Sequence, residues 1–167
     1  PGCHMTLDVR PIQREHIAGW RGAVEAVAAE RIYLGRITLP PHSEETAFPL
    51  LHIANGWPMF VALSGEAVVG WADVTPVDIP ECSHRGVLGM GLLAPFRGQG
   101  LGERLLQACI AQAPGAGLSK IELTVFSTNA RAIALYRKAG FTQVGFIPDY
   151  RRVDGTTYDA VLMERLV

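Results

Sequence analysis

The chain has 167 residues, 49% of them apolar and 19% charged, enough for one well-covered core and too apolar for a disordered segment. Its net charge of −1 excludes a long-range field that would gather nucleic acid or an anionic membrane. The cysteines, Cys3, Cys82 and Cys109, are odd in number and lack C-x-x-C spacing, which argues for a reducing, cytoplasmic compartment and against a disulfide framework or a zinc site.

No apolar run approaches the roughly 20 residues of a membrane span, and no signal-peptide pattern opens the chain. "PGCHM" ahead of "TLDVRPI" reads as an expression-vector remnant, Pro1–His4, before a natural start at Met5, so a single domain is expected over 5–167. "TLDVRPI" alternates apolar and polar residues and predicts a strand. "QREHIAGWRGAVEAVAAERIYL" carries Ile17, Trp20, Val24, Val27 and Ala28 at helical spacing. "LPPH" breaks that helix, and "SEETAFPLLHIANG" restarts one with Ser43 as cap.

The period then changes from 3.6 to 2. "PMFVAL" and "AVVGWADVTPV", separated by Ser64-Gly65-Glu66, predict a hairpin. "RGVLGMGLL" and "IELTVF" are further strands, and between them "GERLLQACIAQA" is an amphipathic helix. "NARAIALYRKAG" is a helix capped by Thr128 or Asn129 and ended by Gly140. "TQVGFIPDY" and "YDAVLMERLV" close the chain as strands joined at "VDGT". This order predicts an α/β protein with a mixed, mostly antiparallel sheet of seven strands and helices on both faces. The strands around the glycine-opened helix have βαβ proportions and should run parallel.

"RGQGLG", Arg97 to Gly102, places three glycines at the mouth of that helix. Free amides and the positive end of the helix dipole make an anion site there, and glycine removes side chains that would block a phosphate. Arg97 is positioned to add a charge-assisted contact. The helix begins Gly-Glu-Arg, not Gly-Lys-Ser/Thr, which excludes a P-loop. "GMGLLA", starting at Gly89, matches a dinucleotide fingerprint only inside a strand and is rejected.

R-x-x-G-x-G, carried by Arg97, Gly100 and Gly102, resembles the signature of the GCN5-related N-acetyltransferase (GNAT) superfamily, and within it the amino-acid and phosphinothricin-type branch. "STNARAIALYRKAGF" resembles that family's second signature through Asn129, Ala132, Ile133, Tyr136 and Gly140-Phe141. The resemblance implies the GNAT fold and acetyl-CoA as co-substrate with no metal. Leu92, Leu93, Arg97, Gly98, Gln99, Gly100, Leu101, Gly102 and Asn129 would bind it. The strands "VLGMGLL" and "IELTVF" would splay, with an amide near Leu92 polarising the thioester carbonyl. The same likeness makes a homodimer through the exposed sheet edges one expected state.

Asn129 and Tyr136, seven residues apart, share a helix face. On the helix alone Tyr136 reads as a half-buried core aromatic; with both signatures present the resemblance implies that its phenol, protonated at neutral pH, is the acid for a departing thiolate. An amine must lose a proton before attack, and Asp73, Glu81 and His84 are candidate bases, with His84 first for its titration near neutrality. Glu30 is second, and Glu30 with Tyr33 is expected to line the acceptor pocket. Leu34, Trp57, Phe60 and Trp71 could contribute apolar walls. The reading is acetyl transfer to a small-molecule primary amine, an amino acid or its like. A protein N-terminus, a polyamine and a non-catalytic acyl-CoA sensor stay open as alternatives.

Overall fold

The seven alternating runs assemble into one sheet whose pairing is antiparallel except at a single junction. The computed structural model describes residues 5–34 and 42–167. Pro1–His4, the breaker at Leu39–Pro41 and the side chain of Ser43 lie outside the described residues. The elements are β1 (Leu7–Pro11), α1 (Ile17–Glu30), α2 (His42–Asn55), β2 (Met59–Ser64), β3 (Ala67–Pro76), β4 (Arg85–Leu92), α3 (Leu101–Gln112), β5 (Lys120–Phe126), α4 (Ala130–Lys138), β6 (Thr142–Val153) and β7 (Thr156–Leu166). Their order is the one the periodicities predict, and the sheet runs β1-β2-β3-β4-β5-β7-β6.

The pleat sorts the core into two layers. On one face Ala72 and Val74 of β3, Leu123 of β5 and Leu105, Leu106 and Cys109 of α3 form the larger cluster. On the other, Val61, Leu63 and Trp71 pack against Trp20, Val24 and Val27 of α1. Phe60 packs with the first cluster, and Trp57 stands edge-on to the buried ring of His52. Both are half-buried.

Helix α1 ends at Glu30, four residues before its periodic run does. Arg31 adopts a left-handed conformation with φ of 62° and donates its amide to the Ala28 carbonyl, and its guanidinium pairs with Asp154 of the β6–β7 turn. That turn has positive φ at both Asp154 and Gly155, as a two-residue turn matching strand twist requires.

Strands β4 and β5 are parallel and pair at three positions, Arg85 with Lys120, Gly86 with Ile121 and Val87 with Glu122. Beyond them no pairing continues, although β4 stays paired to β3 and β5 to β7 along their lengths. The paired end is clamped. Arg85 donates to both Glu122 oxygens, at 3.0 and 2.6 Å, and Lys120 pairs with Glu164 of β7. Gly86 sits where a Cβ would lie 2.4 Å from Val74 Cγ1 and 2.8 Å from Leu118 Cδ1. Gly86→Ala therefore overpacks the clamp and is expected to cost about 1–3 kcal/mol of stability, read by urea denaturation.

Candidate functional site

Where β4 and β5 part, a cavity of about 790 Å³ opens. It takes lining from both faces of the sheet, Met90, Gly102, Leu135 and Tyr136 on the α3–α4 face and Val27, Tyr33 and Leu34 at the end of α1. The Leu93 amide bonds the Val69 carbonyl of β3 at 2.9 Å. Because amides alternate in direction along a strand, that of Leu92 points away from β3, into the gap.

Each glycine of the loop has its own cause. Gly98 and Gly100 have φ of 77° and 82°, and a Cβ at either would meet nothing within 4 Å, so turning geometry demands glycine and the space above is open. Gly102 is tucked against Leu135, Leu92 and Met90, letting α3 approach the sheet. The first α3 hydrogen bond runs from the Arg104 amide to the Gly100 carbonyl at 3.1 Å, so the amides just ahead of Arg104 lack helical partners. The cavity lining includes Gly102 but not residues 98–101; the loop rims the entrance. The Leu101 side chain is in the core.

Arg97 does not extend toward this rim. Its guanidinium donates to Glu30 Oε1 at 2.9 Å and also to Oε2, caps the Leu92 carbonyl at 3.0 and 2.8 Å, and lies 4.5 Å over the Tyr33 ring. The expected phosphate ligand and the expected second base thus neutralise one another. The reason is tertiary: the early end of α1 delivers Glu30 to the loop. Glu30 lies outside the cavity lining, whereas Tyr33 is part of it.

Asn129 caps α4, its Oδ1 accepting from the Ala132 amide at 3.2 Å, and it also lines the cavity. Tyr136 reaches the same wall, 8% exposed, with burial pushing its hydroxyl up to about 12. It stays a phenol throughout the physiological range. Full proton transfer to a thiolate of ordinary pKa near 8.5 is uphill by about 5 kcal/mol, so hydrogen-bond donation is the chemistry its burial favours.

His84 is not brought to the cavity. It precedes β4 at the clamped end, where its carbonyl accepts from the Ser119 amide, roughly 17 Å along the strand from Gly89. Glu81 lies exposed in the short helical turn Pro80–Cys82. The third candidate, Asp73, is in β3 directly opposite Gly89. A Cβ at Gly89 would lie 3.3 and 3.4 Å from its carboxylate oxygens, and one at Gly91 would lie 2.5 Å from the Trp71 ring. Side chains of β3 thus lean over a strip of β4 that has none. The strip is legible in the sequence as Gly-x-Gly inside a strand, a signal of close approach; what approaches is not. Among the described residues no cluster of three or more His, Cys, Asp or Glu side chains could hold a metal ion, and no helix is long and apolar enough to cross a membrane.

A family model described as the acetyltransferase (GNAT) family matches residues 22–141. N-alpha-acetyltransferase RimI of Mycobacterium tuberculosis is 29% identical over 163 residues, 96% of each chain. L-amino acid N-acetyltransferase AaaT of Escherichia coli is 28% identical over 140 residues, covering 83% of this chain and 86% of its own. A GNAT superfamily phosphinothricin acetyltransferase from Sinorhizobium meliloti, solved in complex with AcCoA, superposes with a TM-score of 0.85 at 23% identity, covering 98% of this chain and 89% of that one. That last likeness is one of fold.

Burial raises the Asp73 carboxyl from its ordinary 3.8 to about 8, partly offset by the Thr75 hydroxyl. The folded state then holds this proton more tightly than the unfolded chain does. Its contribution to stability is complete below about pH 4 and is lost as pH rises toward 8, at about 1 kcal/mol per pH unit. Urea titrations from pH 5 to 8 are expected to show this decline in the native protein and a flatter profile in Asp73→Asn.

Proposed function

The chain belongs to the acetyltransferase (GNAT) family, and from that premise we propose that it transfers acetyl from acetyl-CoA to the primary amine of a small molecule, an amino acid or a close relative, by direct attack in a ternary complex. The observation that carries this reading is the cavity through the β4–β5 gap, with the glycine loop rimming it and the Leu92 amide turned inward. Similarity to the E. coli L-amino acid N-acetyltransferase over 83% of the chain supports the acceptor class. The half-buried Cys82 and buried Cys109, both free thiols, suit a reducing, cytoplasmic setting.

The residues fit the co-substrate. Open space above Gly98 and Gly100 and the unpartnered first-turn amides of α3 suit a pyrophosphate, with Gln99, Leu101 and Gly102 contributing backbone and Asn129 flanking the cavity. Leu93 and Arg97 brace the strand end through bonds within the protein, and Arg97, which also lines the cavity, would flank the ligand there. When bound, acetyl-CoA supplies an acetyl thioester. The Leu92 amide would donate to its carbonyl oxygen, where charge develops during attack. Tyr136 would donate a hydrogen bond to the sulfur, stabilising thiolate character without surrendering its own proton. Cys109 has no exposed surface and its thiol is pushed well above its ordinary value by burial, which supports direct attack over a cysteine-bound acetyl.

A second acceptor is favoured by one observation, the match to RimI across 96% of both chains: the α-amine of a protein N-terminus. It shares with an amino acid an amine on the carbon α to a carbonyl.

Thiol release from acetyl-CoA, followed against L-methionine, L-phenylalanine, spermidine, an aminoglycoside and a short peptide, separates these readings. Release with the amino acids is the expected result, and release with the peptide alone would support the second acceptor. Silence across all of them, with coenzyme A still bound by calorimetry, would point to a sensor. Gly100→Asp is expected to abolish coenzyme A binding while melting stays cooperative; unchanged affinity would overturn the loop assignment. Tyr136→Phe should lower kcat about a hundredfold with little effect on coenzyme A affinity.

A further inference from the structure

We propose that Asp73 is the group that receives the acceptor's ammonium and takes its proton, reached from the cavity through the notch that Gly89 leaves in β4. The inference deepens the acetyltransfer reading and rests on it for the amine. Asp73 is at the centre of the sheet, yet it keeps 7% of its surface exposed. Both carboxylate oxygens face the point where a side chain at Gly89 would stand, and Gly89 lines the cavity. Glycine there is what leaves the carboxylate open to a ligand.

Among the described residues the surroundings hold no counter-charge. Asp73 meets Thr75 on its own strand, Gly89 on β4, Met59 on β2 and the electrostatic influence on Cys109 of α3. Glu30 of α1 is occupied by Arg97. From α2, His52 is held neutral by burial. Burial and the Thr75 hydroxyl alone set the carboxyl's proton affinity, so an incoming ammonium would be its first cation, and a buried carboxylate without one is costly.

Thr75 adds a constraint. The Pro58 carbonyl can only accept, so His52 Nδ1 carries the proton at 3.1 Å and Nε2, 3.0 Å from Thr75 Oγ1, accepts from that hydroxyl. Protonated Asp73 can donate to Thr75 Oγ1; ionised Asp73 must compete with His52 for the single Thr75 proton. This shared hydrogen favours the acid until a cation arrives. The resulting carboxyl, near 8, is close to the operating pH, where a base both accepts and releases protons readily.

The proton balance closes. Ionised Asp73 takes one proton from the ammonium and becomes a carboxylic acid. The freed nitrogen pair forms the N–C bond as the C–S bond breaks with its pair on sulfur. A second nitrogen proton neutralises the thiolate, the third stays on the amide product, and Asp73 returns its proton to solvent. Asp73, behind Gly89, and Tyr136 stand on opposite faces of the sheet, the amine approaching from the α1 side and the sulfur lying toward α4.

The test uses methylammonium chloride as the probe and the full-length protein labelled with 13C at aspartate carboxyls. The resonance lost in Asp73→Asn is expected to titrate near pH 8 in sodium chloride and at least one unit lower in equimolar methylammonium. Gly89→Ala, which fills the notch and retains the carboxyl group, should abolish that difference. Identical titrations in the two salts for the native protein would overturn the proposal. In turnover with the acceptor found by thiol release, Asp73→Asn should lose at least about a hundredfold in kcat/KM at pH 7. The deficit should close above pH 10, where the amine is unprotonated on its own. A native kcat/KM at pH 7, or a deficit constant with pH, would equally overturn it. A methylammonium shift with no thiol release from any acceptor would support the ammonium site while defeating the acetyltransfer reading, so the two failures are distinguishable.

Discussion

The cavity in this sheet depends on β4 and β5 ceasing to pair after Val87 and Glu122. Continuing the ladder would satisfy more backbone groups, and an unpaired buried amide costs on the order of 1–3 kcal/mol. The gap persists because each strand is held elsewhere, β4 by β3 and β5 by β7, while the Arg85–Glu122 and Lys120–Glu164 pairs and the seat of Gly86 lock the closed end. A cavity through a sheet follows directly, and so does an inward-facing amide at Leu92.

The two mouths of that cavity are chemically unlike. On the α3–α4 side stand helix-terminus amides and a phenol, suited to an anion and a sulfur. On the α1 side stand Tyr33 and Leu34, and β4 is bare at Gly89 and Gly91, against which the buried Asp73 carboxylate and Trp71 ring of β3 lie. The glycines therefore do opposite work in two places. In the loop, Gly98 and Gly100 meet a backbone demand; in the strand, Gly89 and Gly91 yield space to the neighbouring strand's side chains.

Arg97 joins the two sides. Its fork holds Glu30 at the end of α1 and the Leu92 carbonyl at the end of β4, and its face lies on Tyr33. A half-buried bidentate pair of this kind carries more geometric specificity than an exposed one. The adjacent Arg31 pairs with Asp154 in the β6–β7 turn, an exposed contact of small energetic weight. The short segment after α1 is thus tied down beside the cavity, and Tyr33 and Leu34 become cavity walls.

What the sequence determined by itself was local. Apolar period, caps and turns placed all seven strands and four helices in order. The loop glycines marked a turn with open space above it, because φ and steric access are properties of a few consecutive residues. The same locality explains Asn129, whose capping bond spans three residues. Contacts across the chain were a different matter. That Arg97 meets a glutamate 67 residues away, that His84 lies at the clamped end of its strand, and that Asp73 faces Gly89 depend on strand register and on where α1 stops. Many residue pairs have the right chemistry, and only the packed sheet decides which of them meet.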